Sequence, residues 1–483
     1  MSVWIGVDLG TQSVRAMAVA ADGQVLGAAS RSLTSRRDGP RHEQDPEQWW
    51  EELAAATREA LDGVAPERVR GVAVDATSGT ILLADRAGRP LTPGLMYDDR
   101  RAAGEVDRVN AAGAHVWEKL GYRRMQATWA LPKLLWLLRD APEGARLSHQ
   151  NDFVNRRLAG REVATDLSNA LKTGVDLVEE RWPYDVLDAL GVPAAMLSPV
   201  VRPGTVIGQV CAQAAEETGI PEGTPIVAGT TDGCAAQLGA GALRPGSWNS
   251  VMGTTLVLKG VTPELVHDPL GVVYSHRAPD GSWLPGGASS TGAGVLARDL
   301  PGRDLDALAA EAARRFGPGG REPAATIYPL VSRGERFPFA APEAESFTLG
   351  EVADDVDRYA AILRGAAYVE RLCFDYLDLL GAPVDGEIIL TGGATRSAYW
   401  NRLRAGVLGR PVTLRENAEP ALGMAALAAG PGATDGMVRT REIVHPDGGD
   451  DLREHYLRFV GELETRGWLP ATAAAHARKR STH

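Results

Sequence analysis

The feature that most constrains the fold is a short strand–turn–strand theme that occurs at the start of the chain and again near its middle. Val3-Trp4-Ile5-Gly6-Val7 is apolar and β-branched enough for a buried strand. It stops at Asp8-Leu9-Gly10-Thr11, resumes from Val14 to Ala20 and turns at Asp22-Gly23. The simplest reading is a hairpin whose loop carries an acid, a glycine and a hydroxyl. Trp248 to Met252 repeats the strand, Gly253-Thr254-Thr255 makes the turn, and Leu256-Val257-Leu258 resumes it. Such a repeat predicts two similar halves facing each other across a cleft. At 483 residues the chain is too long for one ordinary core. Arg244-Pro245-Gly246 breaks the small-residue helix Cys234 to Ala242 just before the second theme. Domains are therefore expected at 1–243 and 244–445, with a C-terminal helix and basic tail over 446–483.

Between these landmarks, β and α patterns alternate. Asp45-Pro46 is an N-cap with proline at the first helical position, and Trp49, Trp50, Leu53, Thr57, Ala60 and Leu61 follow at helical spacing. Val69 to Val74 reads as a strand running into Asp75-Ala76-Thr77-Ser78-Gly79-Thr80. Helices dominate from Ala102 to Leu190, with Leu131, Leu134, Leu135 and Leu138 on one face. Pro225 to Ala228 is a strand that runs into Gly229-Thr230-Thr231-Asp232-Gly233. A long helix Asp354 to Leu380, strand Glu387 to Leu390, Gly392-Gly393, helix Ala398 to Leu408, strand Val412 to Leu414 and helix Ala421 to Ala429 follow. The alternation predicts an α/β architecture. The tail Ala473 to His483 is small and basic and is expected to fray.

The charge balance narrows the partners. With 51 basic and 62 acidic residues, the formal net charge of −11 argues against nucleic acid or an anionic membrane as the main partner. It leaves open a single phosphorylated ligand held by a nest of backbone N–H groups. Cys211, Cys234 and Cys373 form no CxxC pair, which fits buried thiols in a reducing compartment. With no signal-peptide pattern at the N-terminus and no run of ~18 apolar residues, the expected location is the cytoplasm. The nine histidines form no HxxxH or HxH pair, so zinc is not expected.

Glycine lets backbone N–H groups approach a phosphate closely, and threonine adds a hydroxyl donor. An acid such as Asp8 beside a phosphate loop would repel the anion unless Mg²⁺ lay between them, since Mg²⁺ takes one or two carboxylates, water and phosphate oxygens. Taken alone, the turn reads more simply as a hairpin whose Asp and Thr satisfy turn N–H groups.

It is not alone. Val7-Asp8-Leu9-Gly10-Thr11-Gln12-Ser13-Val14-Arg15 resembles the first phosphate motif of the FGGY carbohydrate kinases, whose fold belongs to the actin, chaperone ATPase and hexokinase superfamily. Gly229-Thr230-Thr231-Asp232-Gly233-Cys234-Ala235-Ala236 resembles the family's segment bearing the catalytic aspartate. Ser250-Val251-Met252-Gly253-Thr254-Thr255 resembles its second phosphate motif. Leu390 to Ser397 with Trp400-Asn401 resembles its adenosine motif, and Ala421 to Ala426 its closing helix. All five occur in the family's order. A subgroup of D-ribulose kinases once labelled xylulokinase-like is more similar still, on Asp75 to Thr80, Gly229 to Asp232, Val273-Tyr274-Ser275-His276 and Ser332 to Pro338. Ordinary xylulokinases carry a Ser-Gly-Gln-Met-His type segment where this chain has Thr77-Ser78-Gly79-Thr80-Ile81. Met96-Tyr97-Asp98-Asp99-Arg100 resembles the Trp-Asn-Asp segment of the general family.

The resemblance implies two actin-like, ribonuclease H-like α/β domains flanking a deep catalytic cleft, with ATP and Mg²⁺ as cofactors. It implies that Asp232 receives the proton of the attacking sugar hydroxyl, and that Asp8, with Asp232, serves the metal. Gly10, Thr11, Gln12, Gly253, Thr254 and Thr255 would hold phosphates, while Gly392, Gly393 and Asn401 would meet the adenosine. Asp8, Thr77, Ser78 and Asp232 would bind the sugar. Trp129 is read as core rather than as a sugar platform, and Arg333, Glu335 and Arg336 as a solvated or interdomain salt-bridge set.

D-Ribulose is the first candidate acceptor. D-Xylulose, L-ribulose, ribitol and glycerol remain open, as does an actin- or chaperone-like ATPase that ignores sugars. The expected partner is a small-molecule sugar, with neither nucleic acid nor membrane. Assembly is left open, a homodimer included.

Overall fold

Val3, Ile5, Val7 and Leu9 are fully buried, as expected for a strand covered on both faces. The computed structural model describes residues 1–317, 323–446 and 450–481, and strand Val3–Leu9 lies inside a six-stranded sheet. The order across that sheet is Val206–Gln209, Pro225–Val227, Val69–Ala76, Val3–Leu9, Ser13–Ala20, Val25–Ser32. Val3–Leu9 pairs antiparallel with Ser13–Ala20 and parallel with Val69–Ala76. On one face Trp49, Leu53 and Ala56 of helix Pro46–Ala60 complete the core, its proline start capped by Asp45 as expected. On the other, helix Pro420–Ala429 packs Ala421, Leu422 and Ala425 against Met17 and Val19. A Cβ at Gly6 would lie 1.7 Å from the Ala421 carbonyl oxygen, so only glycine admits that helix.

This packing departs from the linear division expected from the sequence. The chain forms two units, the first Met1–Gly241 with Ser275–Leu284 and Asn417–Arg439. The second is Ala242–Tyr274, Pro285–Glu416 and Thr440–His483. The helix expected in the second half thus belongs to the first, because its small-residue face fits the first sheet at Gly6. In the expected helical region, helices Val106–Lys119, Ala130–Leu138 and Gln150–Ala159 form. Strand Arg146–His149 interrupts them and pairs with Ile81–Ala84, burying Leu147.

The second unit repeats the first. Strand Trp248–Met252 pairs antiparallel with Leu256–Gly260 and parallel with Ile388–Thr391. Leu256–Gly260 pairs with Trp283–Ala288, and Ile388–Thr391 with Val412–Arg415, whose outer neighbour is antiparallel Thr440–Val444. Each unit thus holds a three-stranded antiparallel meander, two further parallel strands and an antiparallel outer strand in the same order. Helix Asp355–Leu379 is buried along most of its length in the second core. The tail expected to fray instead forms helix Ala471–Arg480, because Ala473, Ala474 and Ala477 make a small-residue stripe that packs into that core. Residues 482 and 483 of that tail lie outside the described residues. No helix among the described residues is long and apolar enough to cross a membrane.

Candidate active site

In the first unit, sheet register assembles an acidic centre. Asp8 is the parallel partner of Asp75 and the antiparallel partner of Arg15, so both flank it on neighbouring strands. Arg15 forms an ion pair with Glu419, just ahead of helix Pro420–Ala429. Asp75 is fully buried, and neither of its carboxyl oxygens has a partner of ordinary hydrogen-bond geometry among the described residues. Burial, then the Asp8 and Asp232 charges, push its carboxyl well above the ordinary carboxylate range. Asp8 is raised to about 6 by burial and by Asp232, against the opposing pull of a proton shared with Asp75 and of Arg15. Asp232 is exposed at the first position of helix Asp232–Ala240, and its Oδ1 accepts from Gly233 N at 2.7 Å. This is an excess of hard oxygen donors with one arginine nearby. It suits a divalent cation that takes one or two carboxylates and completes its shell elsewhere. No group of three or more His, Cys, Asp or Glu among the described residues is arranged to hold a metal unaided.

The turn of the first hairpin lies beside Asp8. Gly10 N donates to Ser13 O at 3.0 Å, leaving Thr11 half-buried and Gln12 exposed at the hairpin tip. Thr77 and Ser78 follow Asp75. The Thr77 hydroxyl is buried, donating to Gln150 Oε1 at 2.6 Å and lying 2.5 Å from Thr80 Oγ1. Thr77 shapes the loop, whereas the buried Ser78 Oγ has no hydrogen-bond partner among the described residues. Two lysines that sequence reasoning missed hold the same loop. Lys133, wholly buried, donates to Gly79 O at 2.6 Å and Met96 O at 2.8 Å, and Lys172 donates to Ser78 O at 3.0 Å. Trp129 is buried against Tyr122, a core position as expected.

In the second unit, Gly253 N donates to Thr255 O at 3.1 Å, echoing the first hairpin, and Thr254 is exposed. The turn rests on the segment 289–294. Leu256 N donates to Thr291 O at 2.7 Å, Ala293 N to Gly253 O at 2.9 Å, and Gly294 N to Thr254 O at 3.1 Å. Glu335 fixes that segment. Its carboxylate accepts from Ser289 Oγ at 2.9 Å, Ser290 N at 2.6 Å and Tyr328 OH at 2.9 Å. Glu335 is thus a buried anchor and not the solvated charge expected from the sequence. Arg333 does form an exposed pair with Glu345, and Arg336 donates to Ser289 O.

Gly392 adopts φ +84°, and a Cβ there would lie 2.6 Å from Met252 O, so glycine lets the turn after strand Ile388–Thr391 close on strand Trp248–Met252. Gly393 opens onto a cavity of ≈ 470 Å³ lined also by Ala293, Leu296, Ala309, Tyr359, Arg396 and Trp400. Its size and mixed apolar and basic wall suit a nucleoside. Asn401 is not brought to that wall: it is buried, and its Nδ2 donates to Thr395 O at 2.9 Å, bracing the turn.

Fold, repeated hairpins and acidic centre together define a two-domain α/β phosphotransferase. Residues 3–239 match the N-terminal domain, and residues 248–430 the C-terminal domain, described as the FGGY family of carbohydrate kinases. The chain belongs to that family and is a sugar phosphotransferase. It is 32% identical over 444 residues to a xylulose kinase of Streptomyces coelicolor, covering 88% of this chain and 87% of that protein. A xylulose kinase of Streptomyces rubiginosus is 31% identical over 439 residues, with the same shares of the two chains, 88% and 87%. The crystal structure of xylulose kinase from Rhodospirillum rubrum superposes with a TM-score of 0.84 at 26% identity, covering 95% of this chain and 98% of that one.

Proposed function

We propose that this kinase transfers the γ-phosphate of ATP, in the presence of Mg²⁺, to a terminal hydroxyl of a pentulose, with D-ribulose the preferred acceptor. The observation that carries the reading is the convergence of Asp8, Asp75 and Asp232 in one unit, with an unpaired Ser78 hydroxyl on the segment that follows Asp75. Asp232, exposed and at a helix start, accepts the proton of the sugar hydroxyl as its oxygen attacks phosphorus and the bond to the departing ADP breaks. A carboxylate is a weak base, but phosphoryl transfer depends mainly on alignment and charge neutralisation, so late proton acceptance suffices. Asp8, with Asp232, would hold Mg²⁺, which when bound neutralises charge on the phosphate oxygens. Gly10, Thr11 and Gln12 of one hairpin and Gly253, Thr254 and Thr255 of the other would hold phosphates. Gly392 and Gly393 would let the nucleoside lie against the backbone of the second unit's cavity.

D-Ribulose rests on the Thr77-Ser78-Gly79-Thr80 segment, which departs from that of ordinary xylulokinases. D-Xylulose is the second reading, favoured by the names of the Streptomyces relatives. The test is ADP release with ATP and Mg²⁺ across D-ribulose, D-xylulose, L-ribulose, ribitol and glycerol. A preference for D-ribulose, lost in Asp232→Asn by at least roughly 100-fold while ATP still binds, is the expected result. Preference for D-xylulose would replace the acceptor. Sugar-independent ADP release would overturn the reading as a whole.

A further inference from the structure

Ser168 and His276 form a buried pair behind the Asp232 loop. Ser168 is 0% and His276 1% exposed, and both group with the first unit. The Ser168 hydroxyl lies 2.9 Å from His276 Nδ1, 3.4 Å from Thr231 N and 3.3 Å from Thr231 Oγ1. Cys234 Sγ is 3.8 Å away. A hydroxyl has one proton and two lone pairs. With Nδ1 protonated it accepts from His276 and from Thr231 N and donates towards Thr231 Oγ1 or Cys234. With Nδ1 unprotonated it donates to His276 and accepts from both Thr231 groups. Either way its capacity is filled, and two of its contacts are to Thr231.

Thr231 is the residue that aims Asp232. It is the N-cap of helix Asp232–Ala240, yet its side chain makes no capping bond. A threonine there ordinarily turns its hydroxyl onto the first helical N–H groups; here it turns to Ser168. The other side of the loop is tied to the sheet by the Ala76–Thr231 bridge and by Ala76 N donating to Thr230 O at 3.3 Å. The peptide that sets the direction of Asp232 is therefore gripped from two sides, by the strand that carries Asp75 and by Ser168.

Resting on the reading of Asp232 as the proton acceptor, we infer that Ser168 and His276 act as one positioning unit for the catalytic aspartate, His276 orienting the Ser168 hydroxyl and Ser168 holding Thr231. Neither residue touches the sugar in this role.

The test is steady-state kinetics on the full chain, with its best sugar, for Ser168→Ala, His276→Ala, their double variant, His276→Asn, His276→Gln and Asp232→Asn. Loosening the aspartate by a fraction of an ångström should lower kcat roughly tenfold or more in each alanine variant, with both KM values within about twofold. The double variant should lose no more than the worse single, because the two residues act as a unit. Asparagine can place a donor near the position of Nδ1 and glutamine near that of Nε2. His276→Asn should therefore recover most of the loss and His276→Gln should not, a distinction that mere filling of space would not produce. Unchanged kcat in either alanine variant, multiplicative losses in the double, or a raised sugar KM at intact kcat would overturn the inference. Should an alanine variant not fold, the comparison of His276→Asn with His276→Gln decides alone: equal kcat overturns the inference. If Asp232→Asn itself keeps its turnover, the assignment of Asp232 falls first. If Asp232→Asn is inert while the pair variants turn over normally, only the pair falls.

Discussion

Lys133 shows how much one side chain can hold in place. It sits at 0% exposure in helix Ala130–Leu138, and its ammonium bonds the carbonyls of Gly79 and Met96, tying the loop after Asp75 to the segment before Asp98. Burial, and then the Lys172 charge, lower its pKa from 10.5 to about 7. A depressed folded-state pKa means that the unfolded chain binds more protons between these values, so stability rises with pH across that window. The contribution is full above about pH 10.5 and is lost as pH falls to about 7. Relative to Lys133→Met, the native chain should gain up to about 1.4 kcal/mol per pH unit between those limits, and the difference should be flat below them. Urea denaturation of both proteins from pH 6 to 10 measures this, and a flat difference throughout would show a lysine that stays charged. Lys133 was not legible in the sequence, where it lies within the leucine face of its helix and resembles a solvated interruption. Asp75 was missed for the opposite reason. It stands at the end of an apolar strand as Asp8 does, and only the parallel register shows that the two carboxyls adjoin.

Elements are held to one another by buried polar links that periodicity does not reveal. Arg404, on helix Ala398–Leu408, and Glu370, on helix Asp355–Leu379, are both fully buried and pair at 2.7 Å. Ser250, on strand Trp248–Met252, donates to Glu370 at 2.5 Å and accepts from Arg404 at 2.9 Å. Strand Trp248–Met252, which enters the second hairpin, and helix Ala398–Leu408, which follows Gly392-Gly393, are thus locked to the same long helix. Breaking one side strands a buried charge. Arg404→Met or Glu370→Leu alone should therefore cost about 3–5 kcal/mol, while the double variant, with neither charge left, should recover most of that loss. Chemical denaturation of the three variants measures the difference, and additive losses would deny the coupling. At this scale the sequence was most readable where glycine and strand patterns coincide, as in both hairpins and at Gly392-Gly393. It was least readable where polar residues turn inward, as Glu335 and Asn401 do. A C-terminal helix was expected, but the helical state of the tail from Ala473 was not, because its alanines gain their helical value only against the second core, which no local pattern announces.

At the scale of the molecule, chain order and spatial order part company. The match to the family's C-terminal domain runs unbroken over residues 248–430, yet residues 417–439 group with the first unit. Helix Pro420–Ala429 is more than a cover for that sheet. Arg15 pairs with Glu419 immediately before the helix, so the segment also supplies charge beside Asp8. A chain ending at Gly241 would expose the apolar face formed by Met17 and Val19 and leave Arg15 without its carboxylate partner. Such a chain should show no cooperative thermal transition by circular dichroism. The same chain with residues 417–439 joined through a flexible linker should regain one, because the lost term is burial of a specific apolar face rather than chain connectivity. A cooperative transition in residues 1–241 alone would mean that the first sheet is self-sufficient. Failure of the linked chain would place the missing stability in Ser275–Leu284, the other segment the first unit takes from later in the sequence. In either of the first two outcomes, the early hairpin with Asp8 and the late helix with Glu419 can be separated energetically only by cutting between them. The family boundary between residues 239 and 248 makes that cut, parting the sheet from the helix that covers it.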